Sequence, residues 1–474
     1  MCQEWRNAIA RKLVPVAFIS PLILACAAAE SAPTAGMDVT VDAAKIIGTI
    51  KPLQDLGLGP LNLRGSVDLS HYFKELGVRN VRLHDVPWVY SENVQDMNYV
   101  FPNDAADASK PESYDFALTD HYIESITKLG INIIYRLGYS AELHEPKHTK
   151  PPASYEKWAD IAAHVVQHYD QGWANGPQSH IKYWEIWEEP DIEFFFASKN
   201  PEDYYRLYDV TARALKSVDP SIKVGGPALA DELEFLEGFL KYCSDHKTPV
   251  DFVSWHSYGP TPDDVATRGK RVRALMIRYG FGKAESILDE WSYLPADMAE
   301  IMKTMTDATA KQALTDLLQG EFGAAYNAAV LTELQDASVD IATFYTGTTL
   351  SMGLFTADGL PVKAYDAFLA FRHLLDSPRR LSVRKPDRTN VTALAGMSED
   401  DSTVRVLVSH MAKESATLVL HMTNLPWKGA AHYDIQTVDK NHTLTESRSG
   451  EASVDGAIPV TLDGLSVVLV TVKH

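Results

Sequence analysis

An α/β fold, a (β/α)8 TIM barrel followed by a C-terminal β-sandwich, is predicted by three features of the 474-residue sequence. Between about residues 58 and 346, apolar runs of strand length alternate with amphipathic helical patterns, eight times in all. No glycine-rich phosphate loop follows the first strand, which disfavours an open, doubly wound sheet. Beyond Ser377-Pro378-Arg379-Arg380 the hydrophobic period changes from helical spacing to strict alternation, the pattern of antiparallel sheets.

At the N-terminus, Arg6, Arg11 and Lys12 precede an apolar stretch over residues 13–25 and a small-residue tract over 26–29. This is the order of a secretory signal, and the stretch is too short to span a membrane. Residues 1–29 are therefore expected to direct export, with a periplasmic or secreted product and no transmembrane span in the mature chain. Two endings are open. Ala27-Ala28-Ala29 fits an ordinary cleavage site, whereas Ile23-Leu24-Ala25-Cys26 resembles the box ahead of a lipid-modified cysteine, which would anchor the chain through Cys26. Cys2 leaves with the signal and Cys243 stands apart, so the mature chain has no internal disulfide and must rest on its core.

Residues 30–50 read as a linker and a strand, Met37-Asp38-Val39-Thr40-Val41-Asp42, which has no local partner and is assigned to the sandwich. Residues 51–377 read as the barrel, with strands at 58–63, 80–85, 131–137, 181–188, 222–226, 252–258, 287–291 and 341–346. Helix signals fall between them. Asn200 is placed to cap, Pro201 to open the first turn, and Glu202 and Asp203 to meet the positive end of the dipole; Tyr204, Leu207, Tyr208, Thr211 and Leu215 share one face. Trp158, Ile161, Ala162, Val165 and Tyr169 make a similar stripe that stops near Gly172. A last helix at 364–375 follows Gly359-Leu360-Pro361, and residues 378–474 carry sandwich strands at 391–395, 403–409, 416–422, 433–438 and 465–472.

The chemistry concentrates in two runs. Tyr183-Trp184-Glu185-Ile186-Trp187-Glu188-Glu189-Pro190-Asp191 alternates apolar residues with acids and ends in two carboxylates before a proline. It reads as a buried strand that delivers acid at its C-terminal end, where barrel enzymes carry their active sites. Ser286-Ile287-Leu288-Asp289-Glu290-Trp291 ends in the same way. A glycosidic oxygen leaves poorly unless one positioned acid protonates it while a second carboxylate meets the carbon left behind, so Glu189 and Glu290 are candidate catalytic residues.

Arg82 and Arg136 lie on barrel strands, where each either orients these acids or belongs to a buried structural pair. Tyr139, Trp187 and Trp291 either stack on a sugar or fill the barrel. His164 and His168 have the i, i+4 spacing of metal ligands but lack the Glu of a zinc-protease helix, so neither metal nor cofactor is expected. A net charge of −19 argues against a nucleic-acid partner and favours a neutral one.

Gly-Val-Arg-Asn-Val-Arg-Leu-His-Asp (77–85), Trp-Glu-Ile-Trp-Glu-Glu-Pro-Asp (184–191), Val-Asp-Phe-Val-Ser-Trp-His-Ser-Tyr-Gly (250–259) and Ile-Leu-Asp-Glu-Trp (287–291) resemble the strand motifs of clan A glycoside hydrolases. The similarity is greatest to glycoside hydrolase family 39, which contains β-xylosidases and α-L-iduronidases, and it extends over most of residues 38–474. The resemblance implies Glu189 as acid/base, Glu290 as nucleophile, and His84, His256 and Tyr258 as contacts of the sugar being cleaved. Two departures are visible. Glu188 stands where the family usually has Asn, and Phe344-Tyr345 where the clan commonly has Trp. A second acid beside Glu189 is expected to favour protonation of the pair.

The combined expectation is a retaining glycosidase that releases a terminal, β-linked, xylose-like sugar from oligosaccharides or glycosides. Its substrate-contacting residues would be Arg82, His84, Tyr139, Glu188, His256, Tyr258 and Trp291. A transglycosidase or endo-acting glycanase on the same scaffold, and a catalytically weakened carbohydrate-binding protein, are the alternatives.

Overall fold

The computed structural model describes residues 37–62, 65–89, 92–140, 148–386, 390–452 and 457–474. The expected signal and Cys26 lie outside these residues.

The chain opens with β1 (Met37–Thr49) and then enters a closed parallel barrel. Its strands follow the order of the sequence: β2 (Asp55–Gly57), β3 (Asn80–Leu83), β4 (Asn132–Leu137), β5 (Tyr183–Ile186), β6 (Lys223–Leu229), β7 (Phe252–Gly259), β8 (Glu285–Tyr293) and β9 (Ile341–Phe344), with β9 pairing back to β2. The principal helices outside it are α1 (Ser70–Glu75), α2 (Ala117–Thr127), α3 (Tyr155–Gln171), α4 (Pro201–Val218), α5 (Leu233–His246), α6 (Pro262–Arg278), α7 (Glu321–Glu333) and α8 (Lys363–Leu374). Their ends follow local chemistry. The Asn200 side chain accepts the Glu202 N–H at the start of α4, and α3 stops where Gly172 takes the left-handed conformation, φ 76°.

The first barrel strand lies earlier than the expected 58–63. Leu58 turns out of the strand at φ 67°, Pro60 has no N–H to give a ladder, and Leu61–Asn62 instead pairs with Val67–Asp68 in a separate small hairpin.

Three further sheet strands escaped the sequence pattern. Strands β10 (Arg379–Arg384), β11 (Val391–Met397), β12 (Thr403–His410), β13 (Ala416–Thr423), β14 (Ala431–Val438), β15 (Thr445–Ala452), β16 (Ala457–Leu462) and β17 (Ser466–Lys473) join β1 in one nine-stranded sheet, ordered β15-β14-β17-β12-β11-β10-β1-β13-β16. Strands β15 and β16 are its edges. The first is polar and almost wholly exposed; the second carries Pro459, which an edge tolerates. Strand β10 is rich in arginine and only partly buried. Strand β1 runs parallel to β13 and antiparallel to β10, with register shifts around Ile46.

Val39, Leu418, Leu420, Ile458 and Val460 from one half of the sheet share an apolar cluster with Val404, Val406, Val468 and Val470 from the other. The sheet thus closes over itself as a sandwich. Its outer face rests on α7, which is buried continuously from Gly323 to Thr332 and has no polar side, because it lies between barrel and sheet. The Ser409 hydroxyl donates to the Ala325 carbonyl across this junction at 2.6 Å. Among the described residues no helix is long and apolar enough to cross a membrane.

Candidate active site

Alternation along each strand sends every second side chain into the barrel. Near the N-terminal end, Ile134, Tyr183, Phe252, Ile287 and Ile341 meet in one apolar cluster that plugs the interior. Two residues further along the same strands come Arg136, Glu185, Ser254, Asp289 and Thr343, all buried and all polar, joined by Arg82 from β3. The cavity opens above them.

Two local irregularities bring neighbouring acids into this cavity together. After β5, Trp187 adopts φ 72° and Glu189 φ 39°, which breaks the alternation and lets both Glu188 and Glu189 reach the site. Gly138 leaves room for that turn, since a Cβ there would lie 3.1 Å from the Trp187 Cα. On β8 the pairing steps from Trp255 opposite Leu288 to His256 opposite Glu290, so Asp289 is an extra, bulged residue. A bulge re-aims side chains, and here both Asp289 and Glu290 reach Arg82.

Arg82, about 1% exposed, is the hub. Its Nη1 donates to Glu290 Oε1 at 2.7 Å, Nε to Glu185 Oε2 at 2.7 Å and Nη2 to Glu188 Oε2 at 2.5 Å, while Asp289 Oδ2 lies 3.1 Å from Nε. The Tyr258 hydroxyl donates to Glu290 Oε2 at 2.6 Å. Glu189 has different company: its Oε1 lies 2.8 Å from His256 Nδ1, and that same nitrogen is 3.7 Å from Glu290 Oε2. The nearest oxygens of Glu189 and Glu290 are therefore within about 6.5 Å, the lower edge of the spacing that leaves room for a water between two acids.

These partners separate the acids electrically. Burial, reinforced by the charges of Glu188 and Glu290, pushes Glu189 up to about 7 against the opposing pull of His256. Burial would also raise Glu188, but Arg82, His84, His256 and Arg136 outweigh it and hold that carboxyl below its ordinary range. The expected shared protonation of Glu188 and Glu189 is thus divided unequally, with the proton on Glu189. His84 is disfavoured as a cation by burial yet carried up to about 9 by Asp85, Glu188 and Glu290; Asp85, which burial would raise, is drawn down to about 2 chiefly by His84. Burial and the charge of Glu290 keep the Tyr258 hydroxyl protonated and available as a donor.

The structure brings Arg82, His84, Glu188, Glu189, His256, Tyr258 and Glu290 into this one constellation. His256 is fully buried and engaged with Glu189. Arg136 bonds Asp96 and Ser140 and reaches Glu188 at 3.7 Å. Tyr139 is half-buried, stacked on His148 and edge-on to Trp187.

Trp291 is a correction. It follows the bulge, turns out of the barrel and packs, wholly buried, against Phe344 and Phe368 of α8, so it is core and not a sugar platform. Trp187 is likewise buried, against Trp158 and Phe196. His168 is taken up by Asp120 and the Trp173 carbonyl.

Sequence reasoning passed over Glu185, Asp289 and Asp85, and marked Tyr345 only as a departure from the clan. Tyr345 donates to Asp85 at 3.2 Å and stands beside His84 and Tyr258. The available signal for Glu185 and Asp289 was an acid inside an otherwise apolar strand, a place charges avoid unless paired.

Ligand atoms of His84, Glu188 and Glu290, and of Glu188, Glu189 and His256, lie close enough to share a metal. Arg82 already holds one oxygen each of Glu188 and Glu290, and a cation in the first set would have to compete with it.

A family model described as "Glycosyl hydrolases family 39" matches residues 45–470. A β-xylosidase of Geobacillus stearothermophilus is 26% identical over 368 residues, 68% of each chain. Among solved structures, a glucosidase from Croceicoccus marinus has TM-score 0.73 at 25% identity, covering 94% of this chain and all of its own. A monomeric β-xylosidase from Caulobacter crescentus has TM-score 0.69 at 19% identity, covering 92% of this chain and 99% of its own, a likeness of fold.

Proposed function

The chain belongs to glycosyl hydrolases family 39, and from that premise we propose that this glycosidase releases a terminal, β-linked, xylose-like sugar by double displacement with retention. The observation that carries the reading is the pair Glu189 and Glu290, set against the same His256 nitrogen but given opposite surroundings. Glu189, raised to about 7, acts as the acid that protonates the leaving oxygen. Glu290, fixed by Arg82 and Tyr258, attacks the anomeric carbon, and the glycosidic C–O bond breaks as the glycosyl ester forms.

Esterification removes the negative charge of Glu290 from the neighbourhood of Glu189, which favours loss of the Glu189 proton. The resulting carboxylate takes a proton from water, and that water frees Glu290 from the face the leaving group vacated. The nearest oxygens of the two carboxyls lie no farther apart than about 6.5 Å, the shortest spacing of an inverting pair, and this favours retention. Glu188, His84 and Tyr345 line the same cavity and serve as sugar contacts, and similarity to β-xylosidases supports the choice of sugar.

The test is a screen of aryl β-glycosides, including xyloside, glucoside and arabinoside, with the first-formed anomer read by NMR. Fastest release from the xyloside with a β-configured product is the expected result. An α-configured product would overturn retention, and faster release from another sugar would overturn the xylose assignment.

We further propose export of the protein, on the charge, apolar and small-residue order of residues 1–29. Peptide mapping from the native host should find a first residue at Cys26 or near Glu30; an intact leader on cytoplasmic protein would contradict it.

A further inference from the structure

Glu185 and Asp289 are fully buried at the floor of the cavity, below the two acids assigned to the chemistry. Their side chains touch, and both lie against the Nε of Arg82, at 2.7 and 3.1 Å. Among the described residues Glu185 Oε1 and both Asp289 carboxylate oxygens have no hydrogen-bonding partner outside the pair. Two carboxylates in contact, out of water, repel strongly if both are charged, and a proton between them turns that repulsion into a hydrogen bond.

The cations nearest the pair are shared with other acids. Arg82 also serves Glu188 and Glu290, and His256 reaches Asp289 at 3.7 Å while bonding Glu189. Arg136 is committed to Asp96, and His84 to Asp85 and Glu188.

We propose that Glu185 and Asp289 hold one proton between them and act, through Arg82 and His256, as a positioning pair whose single negative charge helps keep Glu189 protonated near neutral pH. The pair touches no reacting atom. The proton resides mainly on Glu185, which burial drives far up, while the charges of Arg82 and His256 overcome burial and hold Asp289 down. The role in catalysis rests on the assignment of Glu189 as general acid.

Amide substitutions test this, because they keep shape while removing one titrating group at a time. In Glu185→Gln the remaining acid, Asp289, keeps the charge. In Asp289→Asn, Glu185 sheds its proton and takes the charge over. Both single variants should therefore leave the alkaline limb of the kcat/KM profile on an aryl glycoside unmoved. The double variant has no charge at the pair and should lower that limb by about one unit, since removing an anion favours the ionised form of Glu189. Shifts in each single variant that add in the double would show both acids charged in the native protein, and an unmoved double variant would show that the pair only packs; either result overturns the proposal.

Infrared difference spectra at alkaline pH, where Glu189 has ionised, give a readout independent of activity. The stretch of a buried carboxylic acid should be present in the unaltered protein and lost in each single variant. Its absence from the unaltered protein would overturn the shared proton. If no glycoside is hydrolysed at all, the functional reading fails while the infrared result still decides whether the pair holds a proton.

Discussion

The ends of β5 and β8 each deliver two consecutive acids into one cavity, by different devices and with different results. After β5 a left-handed turn at Trp187 frees Glu188 and Glu189; within β8 the bulge at Asp289 places Asp289 and Glu290 together. In both, the first acid lies against Arg82 deep in the barrel and the second stands nearer the mouth, Glu290 keeping a bond to Arg82 that Glu189 lacks. The mouth-facing acids then part company. Glu290 accepts from a guanidinium and a phenol, whereas Glu189 is bonded by His256 and raised by burial and by the charges of Glu188 and Glu290. Residue type is the same and strand position is similar; the surroundings are what differ.

The largest effect should come from the β8 side. Glu290→Ala is expected to lower turnover on every glycoside by on the order of 10^4- to 10^6-fold, because no other group can trap the anomeric carbon. Initial rates on aryl and alkyl glycosides check this, and a loss confined to poor leaving groups would reverse the comparison.

On the β5 side, Glu189→Ala should cost roughly 10^2- to 10^4-fold on substrates with poor leaving groups and far less on activated aryl glycosides, which need little protonation. Added azide should then yield a glycosyl azide of retained configuration. Equal losses on good and poor leaving groups, without an azide product, would remove the distinction between the two strand ends.

Tyr258→Phe deletes one donor to Glu290 and leaves Arg82 in place. A hydrogen bond to a charged group contributes about 1.5 to 3 kcal/mol, so kcat/KM should fall roughly ten- to hundredfold. A fall of that size is specific to the anion-holding side; no fall would show that Arg82 alone suffices.

Glu188→Asn sharpens the contrast from the other side. Wild-type kcat/KM should decline above about pH 7 as Glu189 loses its proton. Removing the adjacent negative charge makes that loss easier, so the alkaline limb should move down by up to about one unit. An unmoved limb would show that Glu188 is electrically spent on Arg82 and His84.

The smallest effect on catalysis is expected at Trp291. Trp291→Ala should destabilise the fold by about 3 to 5 kcal/mol, seen as a lower Tm, with the ranking of sugars unchanged. A changed ranking would return this side chain to the site.

The barrel was legible in the sequence because its strands, buried on both faces, are apolar runs, and because its helices carry caps such as Asn200 and stripes such as Trp158 to Tyr169. Strand β15 was not, since an edge strand that faces water on both sides has no apolar signature to read, and in β16 Pro459 interrupts the alternation of Ile458, Val460 and Leu462. Within the site, Glu189 and Glu290 stood out at strand ends, and the motifs around them carried their neighbours.

Glu185 and Asp289 follow the alternation inward from Tyr183 and Ile287, and what hid their role was the distance in sequence to their partner; Trp291 was misplaced for a reason in the backbone. Which face a strand residue takes depends on unbroken alternation, and the bulge at Asp289 and the turn at Trp187 are backbone events that side-chain pattern does not announce. Partners were invisible for a related reason: Arg82 meets Glu290 across 208 residues of sequence.

The division of labour between the two strand ends is tested most directly by trapping the intermediate. A 2-deoxy-2-fluoro glycosyl fluoride of the sugar preferred in the aryl glycoside screen slows breakdown of a glycosyl ester while its good leaving group still allows the ester to form. Peptide mapping by mass spectrometry should then find one sugar attached to Glu290. Attachment to Glu189, or full turnover to a product of inverted configuration with no adduct on the protein, would contradict it.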